Sequence, residues 1–158
     1  MSSQFYLYNK VTEYLGSGVI DLKTDPINLM LVTNDYVPDV THDVLADVEA
    51  FAAEVVPVAS PDNGYVAGGK ALTSQTYVGT DTPAQSKFDA ADLTWTALTA
   101  TFRYGILYAV KSIGSPEIVN PLIGYILFDD TPADIEVNGV DYVVQWNAAG
   151  IFTMAEAA

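Results

Sequence analysis

The chain has 158 residues, carries a formal net charge of −14 and contains no cysteine. That length suits one domain, and so acidic a surface repels phosphate groups, which excludes direct binding to nucleic acid or to an anionic membrane. The lack of cysteine excludes disulfides and thiolate metal sites, and no segment has the roughly 20 apolar residues of a membrane span.

The first third of the chain is predicted to carry the helices. Apolar residues at helical spacing predict a helix over Phe5–Leu15, within an N-terminal arm formed by residues 1–18. Ile27–Thr33 is a short apolar run between turns, which is typical of a strand buried on both faces. A second apolar stripe predicts a helix over residues 42–54, so residues 19–62 form a strand followed by a helix and loop excursion.

Residues 63–158 are predicted to form the β core. Gly68 and Gly69 indicate a bulge or a tight bend, and Thr99–Val110 is the longest alternating strand pattern. The pair Asn138-Gly139 between β-rich arms predicts a two-residue type I′ hairpin, in which both central residues need positive φ. About seven short strands after a helix-bearing N-terminal third are typical of a β-sandwich or jelly-roll. We therefore predict a mainly β single domain over residues 1–158, sandwich or jelly-roll-like, with one or two short N-terminal helices.

The residues that usually carry chemistry are few and scattered. His42 is the single histidine and has no recognisable orienting partner, and no carboxylate pair has the spacing of a calcium-binding loop. Gly64–Lys70 lacks the spacing, and the following Ser or Thr, of a phosphate-binding loop. We predict a non-enzymatic protein with no catalytic, cofactor or metal site. Two alternatives stay open: calcium at an acidic loop, and sugar stacking rather than core packing by Trp95 and Trp146.

Arg103 is the single arginine, and it lies inside the longest strand pattern. A half-buried guanidinium needs a carboxylate, and Asp89 and Asp92 on the preceding strand pattern are the natural candidates. We expect a structural ion pair between Arg103 and one of these two. A subunit-interface contact and a ligand contact are the alternatives.

The N-terminal arm is the predicted partner interface. Tyr6, Tyr8 and Tyr14 exceed what the core-facing stripe of one short helix requires. We expect deletion of residues 1–15 to abolish partner binding while the β domain stays folded. The acidity of the chain favours a basic partner surface, although solubility alone also accounts for it.

Several groups of residues along the chain resemble a known family. The more specific groups are Gly64–Lys70 (GYVAGGK), Phe88–Trp95 (FDAADLTW) and Gln145–Ile151 (QWNAAGI). With the shorter motifs before and between them, these groups resemble small virion structural proteins of tailed bacteriophages. The resemblance covers most of the chain, but the segment over residues 46–62 is longer than this family leads us to expect.

The resemblance implies a component of a virus particle. A capsid decoration, or cement, protein fits best, because such proteins are small β domains that bridge major capsid subunits on the capsid surface. The resemblance also implies a homo-oligomer, made in the host cytoplasm, that binds the major capsid protein or another virion protein. The net charge, rather than the resemblance, argues against direct contact with nucleic acid or membrane. The alternatives are a tail or head–tail connector component and an acidic inhibitor that mimics DNA.

Overall fold

A computed structural model of the chain describes residues 3–60, 62–81 and 84–155. These residues are mainly β, with 45% strand and 7% helix, which confirms the predicted sandwich-like fold with two short helices. No helix in the described ranges is long and apolar enough to cross a membrane. The elements in chain order are β1 (Gln4–Leu7), α1 (Val11–Gly16), β2 (Ile27–Val32), α2 (Leu45–Glu49), β3 (Lys70–Ala71), β4 (Thr76–Asp81), β5 (Ala84–Asp89), β6 (Leu93–Phe102), β7 (Tyr104–Ala109), β8 (Ser112–Ile113), β9 (Ile118–Val119), β10 (Leu122–Leu127), β11 (Ile135–Val144) and β12 (Phe152–Ala155).

The strands form two layers. Five antiparallel strands form the larger sheet, in the order β1-β10-β7-β2-β3. The facing layer contains a ribbon of β6 and β11 and a three-stranded sheet in the order β12-β5-β4. The short strands β8 and β9 pair only with each other among the described residues.

Two apolar cores lie on the two faces of the larger sheet. The larger core lies between them and contains Leu29 from β2 and Phe102 from β6. The smaller core lies on the opposite face of the five-stranded sheet, which we call the outer face, where Met30 packs with Val48 of α2. Because successive side chains of a strand point to opposite faces, β2 contributes to both cores. Its burial on both faces is what its unbroken apolar sequence predicts.

The predicted strand Thr99–Val110 changes layer at Arg103. β6 and β7 belong to different sheets, and the Arg103 N–H between them donates to the Val32 carbonyl at 2.9 Å. Phe102 is therefore buried in the larger core and Ile106 in the smaller one, although simple alternation places them on one face. Strands that bend from one sheet into the other form corners of this kind in β-sandwiches.

The predicted helix over Phe5–Leu15 is wrong in its first half. The structure has β1 there, at the edge of the larger sheet, and α1 begins only at Val11. The Tyr8 N–H donates to the Ile123 carbonyl of β10, and Phe5 and Leu7 both pack against the larger core. Since residues two apart share a face of a strand but not of a helix, this burial favours the strand.

The second helix is shorter than predicted. It covers only α2 rather than residues 42–54, because Ala52 has a φ of +50° and ends the helical path. Beyond it the chain runs extended beside β2, where the Val55 N–H donates to the Leu31 carbonyl at 3.0 Å. This pairing with β2 replaces the hydrogen bonds that a longer helix would have made.

The predicted hairpin at Asn138-Gly139 is wrong. β11 continues through both residues and pairs with β6, and its register shifts beside them. A type I′ turn needs positive φ at both central residues, but of these two only Gly139 has it, at +65°. The Gly139 N–H donates to the Thr99 hydroxyl at 2.9 Å. A glycine in this conformation is typical of a β-bulge, in which one strand of a pair, here β11, contains an extra residue.

Candidate interaction site

The single histidine lies at the partly buried end of a chain of side-chain hydrogen bonds. His42 Nδ1 lies 3.0 Å from the Tyr36 hydroxyl, which lies 2.8 Å from the Tyr8 hydroxyl. Both tyrosines are almost completely buried in the smaller core. Within residues 3–60, 62–81 and 84–155, no three His, Asp or Glu side chains are grouped so that they could hold a metal ion.

Burial raises the pKa of several tyrosines. At Tyr8, Tyr65 and Tyr142 the main cause is desolvation, because the phenolate form loses its hydration inside the protein. The Glu54 carboxylate beside Tyr65 raises the pKa of that hydroxyl further. Burial raises the pKa of Tyr142 to about 12. These side chains are therefore neutral at physiological pH.

These tyrosines predict that stability falls in alkaline solution. An unfolded tyrosine titrates near pH 10, so above about pH 10 the unfolded chain loses protons that the folded protein retains. The stabilisation present below that pH is lost as pH rises toward the folded pKa values, by up to about 1.4 kcal/mol per pH unit for each tyrosine. Urea unfolding at about pH 9, 10 and 11 tests this, and Tyr142→Phe should reduce the slope. A free energy of unfolding that is constant over this range would contradict the prediction.

The structure corrects the predicted partner of Arg103. Its Nε lies 2.7 Å from the Asp134 carboxylate, and both side chains are half-buried. Arg103 is at the corner between the two layers, where its carbonyl also accepts a hydrogen bond from the Phe128 N–H. The chain that follows β10 therefore passes beside the guanidinium, and it supplies the carboxylate.

The two predicted partners of Arg103 have other contacts. Asp89 forms an ion pair with Lys87 at 3.0 Å, two positions earlier on β5 and so on the same face of that strand. The Asp92 carboxylate accepts a hydrogen bond from the backbone N–H of Trp146 at 3.0 Å. The prediction that Asp89 or Asp92 pairs with Arg103 is therefore wrong.

A double-mutant cycle tests the ion pair of Arg103 with Asp134. Because the pair is partly solvated, we expect Arg103→Gln and Asp134→Asn to couple by roughly 0.5–1 kcal/mol in urea unfolding. The matched control combines Arg103→Gln with Asp92→Asn, for which we expect coupling near zero. Equal coupling in the two cycles would show that the ion pair contributes nothing specific.

The three tyrosines predicted to form the interface have different surroundings. Tyr8 is 1% exposed and Tyr14 is 6% exposed, so both belong to the apolar cores and the prediction is wrong for them. Tyr6 is 37% exposed, and its ring stacks on that of Tyr125 with centroids 4.9 Å apart. Of the three, only Tyr6 presents a ring that a partner reaches.

The free edge of β1, on the side away from β10, has backbone groups without a partner among the described residues. The Tyr8 N–H donates to the Ile123 carbonyl, and the same register pairs Tyr6 with Tyr125 of β10. In an antiparallel ladder, alternate residues direct their N–H and C=O groups to opposite sides. Tyr6 therefore bonds toward β10, whereas Phe5 and Leu7 direct their backbone groups away from the sheet.

This open edge is limited to β1. The next odd-numbered residue, Asn9, donates its N–H to the Val40 carbonyl at 2.8 Å. The excursion that follows β2 therefore covers the continuation of the edge. The uncovered edge of the sheet is therefore confined to β1.

A row of aromatic rings crosses the outer face of the sheet from β1, and we call it the aromatic row. Neighbouring rings have centroid separations of 4.9 Å (Tyr6–Tyr125), 6.3 Å (Tyr125–Tyr104), 5.9 Å (Tyr104–Tyr36) and 5.3 Å (Tyr36–Phe51). Tyr6 and Phe51, at its two ends, are each 37% exposed. Sequence reasoning finds only Tyr6 of this set, because the row depends on which strands pair and in which register.

A cleft of about 330 Å³ opens beside β1 on the face of the sheet opposite to the aromatic row, and we call it the edge cleft. It lies between β1 and the end of β11 with the loop that follows. Its lining combines aliphatic residues with residues that are aromatic or carry an amide, and the latter are Gln4, Phe5, Phe128, Tyr142, Gln145, Trp146 and Asn147. No charged side chain of the described residues lines it.

The chain matches no protein-family model, no curated protein and no solved structure. The open edge of β1, the aromatic row and the edge cleft are contiguous, because β1 carries Tyr6 on one face and Phe5 on the other. This arrangement offers hydrogen bonds, ring stacking and apolar contact, and burial keeps the cleft hydroxyl of Tyr142 neutral by raising its pKa. Such a surface is suited to binding another protein.

Proposed function

We propose that this protein is a non-enzymatic structural component of a bacteriophage virion, a capsid decoration protein that binds the major capsid protein. The observation that carries the proposal is the open edge of β1 between the aromatic row and the edge cleft. Exposed apolar and aromatic groups grouped in this way are typical of protein-binding surfaces. The resemblance of the sequence to virion structural proteins supplies the identity of the partner.

The net charge of −14 supports the same proposal. A protein on the outside of a capsid has no contact with the packaged nucleic acid, and an acidic surface does not bind nucleic acid. Acidic residues also speed the approach to a basic partner surface, with a rate that falls as salt rises.

Mass spectrometry of purified particles tests this function. We expect the protein at a copy number of the same order as that of the major capsid protein, on the capsid rather than the tail. A few copies per particle at the tail or portal would instead support a tail or connector component. Absence from particles, with the protein bound to a DNA-binding enzyme in infected cells, would support a DNA mimic.

Binding to isolated capsids tests the surface. Purified protein is added to capsids that lack it, and the bound fraction is measured after sedimentation. We expect Tyr6→Ser to weaken binding by about tenfold, since it removes an exposed ring from the aromatic row. The matched control is Val78→Ser, which removes an apolar side chain that is 56% exposed on β4, outside the row and the edge cleft. Equal binding by both variants would place the contact elsewhere.

A further inference from the structure

We propose that the partner adds an extended basic segment to the open edge of β1, as a sixth strand of the larger sheet. The inference takes the partner's identity as a capsid protein from the proposed function, but the mode of binding follows from the geometry of β1. Strand addition of this kind gains its affinity from backbone hydrogen bonds and its specificity from alternate side chains.

The backbone of β1 meets the first requirement for strand addition. Phe5 and Leu7 direct two N–H and two C=O groups outward with no partner among the described residues. Soluble proteins usually protect such an edge with charged residues, proline or a bulge. β1 is short, at four residues, which itself limits such pairing, but it contains no charged residue or proline and its pairing with β10 has no register shift.

The side chains flanking β1 meet the second requirement. Alternate residues of an added strand lie beside Tyr6 on the outer face and above the edge cleft on the other. The cleft has no charged side chain in its described lining, and it is walled by Phe5 and Trp146, which suits an uncharged side chain such as valine. The exposed ring of Tyr6 suits a lysine or arginine, whose stem packs on the ring while its cation faces the π system.

The net charge of the chain favours a segment of another protein over a second copy of this chain as the added strand. Pairing of β1 with β1 of another copy would bring together two molecules of charge −14 each. The electrostatic repulsion between them opposes that contact, whereas a basic segment is attracted by the same field. The occupant that fits is therefore an extended segment that alternates basic and apolar residues.

Amide hydrogen exchange with a defined peptide tests the inference. The probe is the heptapeptide Lys-Val-Lys-Val-Lys-Val-Lys, and its control is the same peptide with D-valines, which has equal charge but cannot form the ladder. In the free protein, the amides of Phe5 and Leu7 should exchange far faster than those of Tyr6 and Tyr8. Saturation with the probe should slow exchange at Phe5 and Leu7 by about tenfold or more, whereas the D-valine peptide should leave it unchanged.

A backbone-modified protein provides the matched variant. N-methyl-leucine at position 7, introduced through a synthetic N-terminal segment, removes an outward N–H that the fold does not use and keeps every side chain and charge. We expect unchanged thermal unfolding and a roughly tenfold loss of affinity for the probe and for capsids. Equal protection by both peptides, or full affinity of the modified protein, would overturn strand addition.

The outcomes separate this inference from the proposed function. If the protein occupies capsids in many copies but its Phe5 and Leu7 amides exchange equally fast when bound, it is a decoration protein that docks without strand addition. If the probe protects these amides but the protein is absent from particles, strand addition stands and the proposed function fails.

Discussion

Replacing Gly69 by alanine is expected to destabilise the protein by about 3–5 kcal/mol, measured by urea unfolding. Gly69 has a φ of +80°, which is costly for any residue with a Cβ. A Cβ there would also lie 2.6 Å from both the Leu29 carbonyl carbon and the Met30 Cα. Those atoms belong to the buried strand β2, whose side chains fill both cores, so the backbone has no room to move aside.

Gly68→Ala is the matched control for this substitution. Gly68 has almost the same φ, at +82°, but the nearest atom to its added Cβ is the Tyr108 hydroxyl at 3.2 Å. The two alanine variants therefore share the conformational cost of about 1–2 kcal/mol, and only Gly69→Ala adds the backbone clash. Equal losses of stability in the two variants would show that the close approach to β2 is not what requires glycine at position 69.

The overall architecture follows from patterns within single segments of the sequence. The apolar run of β2 is long enough to be a strand and lacks alternation, and burial on both faces is the physical result. The glycines at positions 68 and 69 likewise indicate the bend that positive φ produces there. These features need no knowledge of which strand lies beside which.

The sequence predictions that are wrong share a different cause. In each case the observed structure depends on a segment that is distant in sequence. Phe5–Leu15 contains apolar residues that fit a helix, and only the ladder to β10 decides that its first part is a strand. Asn138-Gly139 is a bulge because β6 continues beside β11 past that point. Arg103 pairs with Asp134 because the chain turns a corner that alternation does not reveal.

The candidate site was predictable only through Tyr6. The sequence singles out Tyr6 together with Tyr8 and Tyr14 because one short helix stripe does not need three tyrosines. On a strand, however, Tyr6 and Tyr8 share the outer face, and of these two the excursion covers only Tyr8. The other rings of the aromatic row come from β7, β10 and the excursion. The edge cleft similarly combines β1 with the end of β11, and no spacing in the sequence brings them together.

Deleting residues 1–9 is expected to destabilise the fold severely, which reverses the expectation that the β domain survives loss of the N-terminal arm. The deletion removes β1 from the larger sheet and leaves the edge of β10 unpaired. It also removes Tyr8, which is 1% exposed and whose hydroxyl bonds to Tyr36 in the smaller core. Truncating a buried aromatic side chain alone costs about 3–5 kcal/mol, a large part of the 5–15 kcal/mol that stabilises a typical domain.

The measurements are near-ultraviolet circular dichroism and urea unfolding of the shortened chain. We expect loss of the aromatic signal and a broad transition in place of a cooperative one. Tyr6→Ala is the matched control, because it keeps β1 and removes only an exposed ring, so its cost should stay below about 1 kcal/mol. A shortened chain that unfolds as cooperatively as the intact protein would show that β1 is an appendage. If the shortened chain is unfolded, as we expect, its loss of partner binding reflects unfolding and not loss of the contact surface. Only substitutions within an intact β1 then test the interaction site.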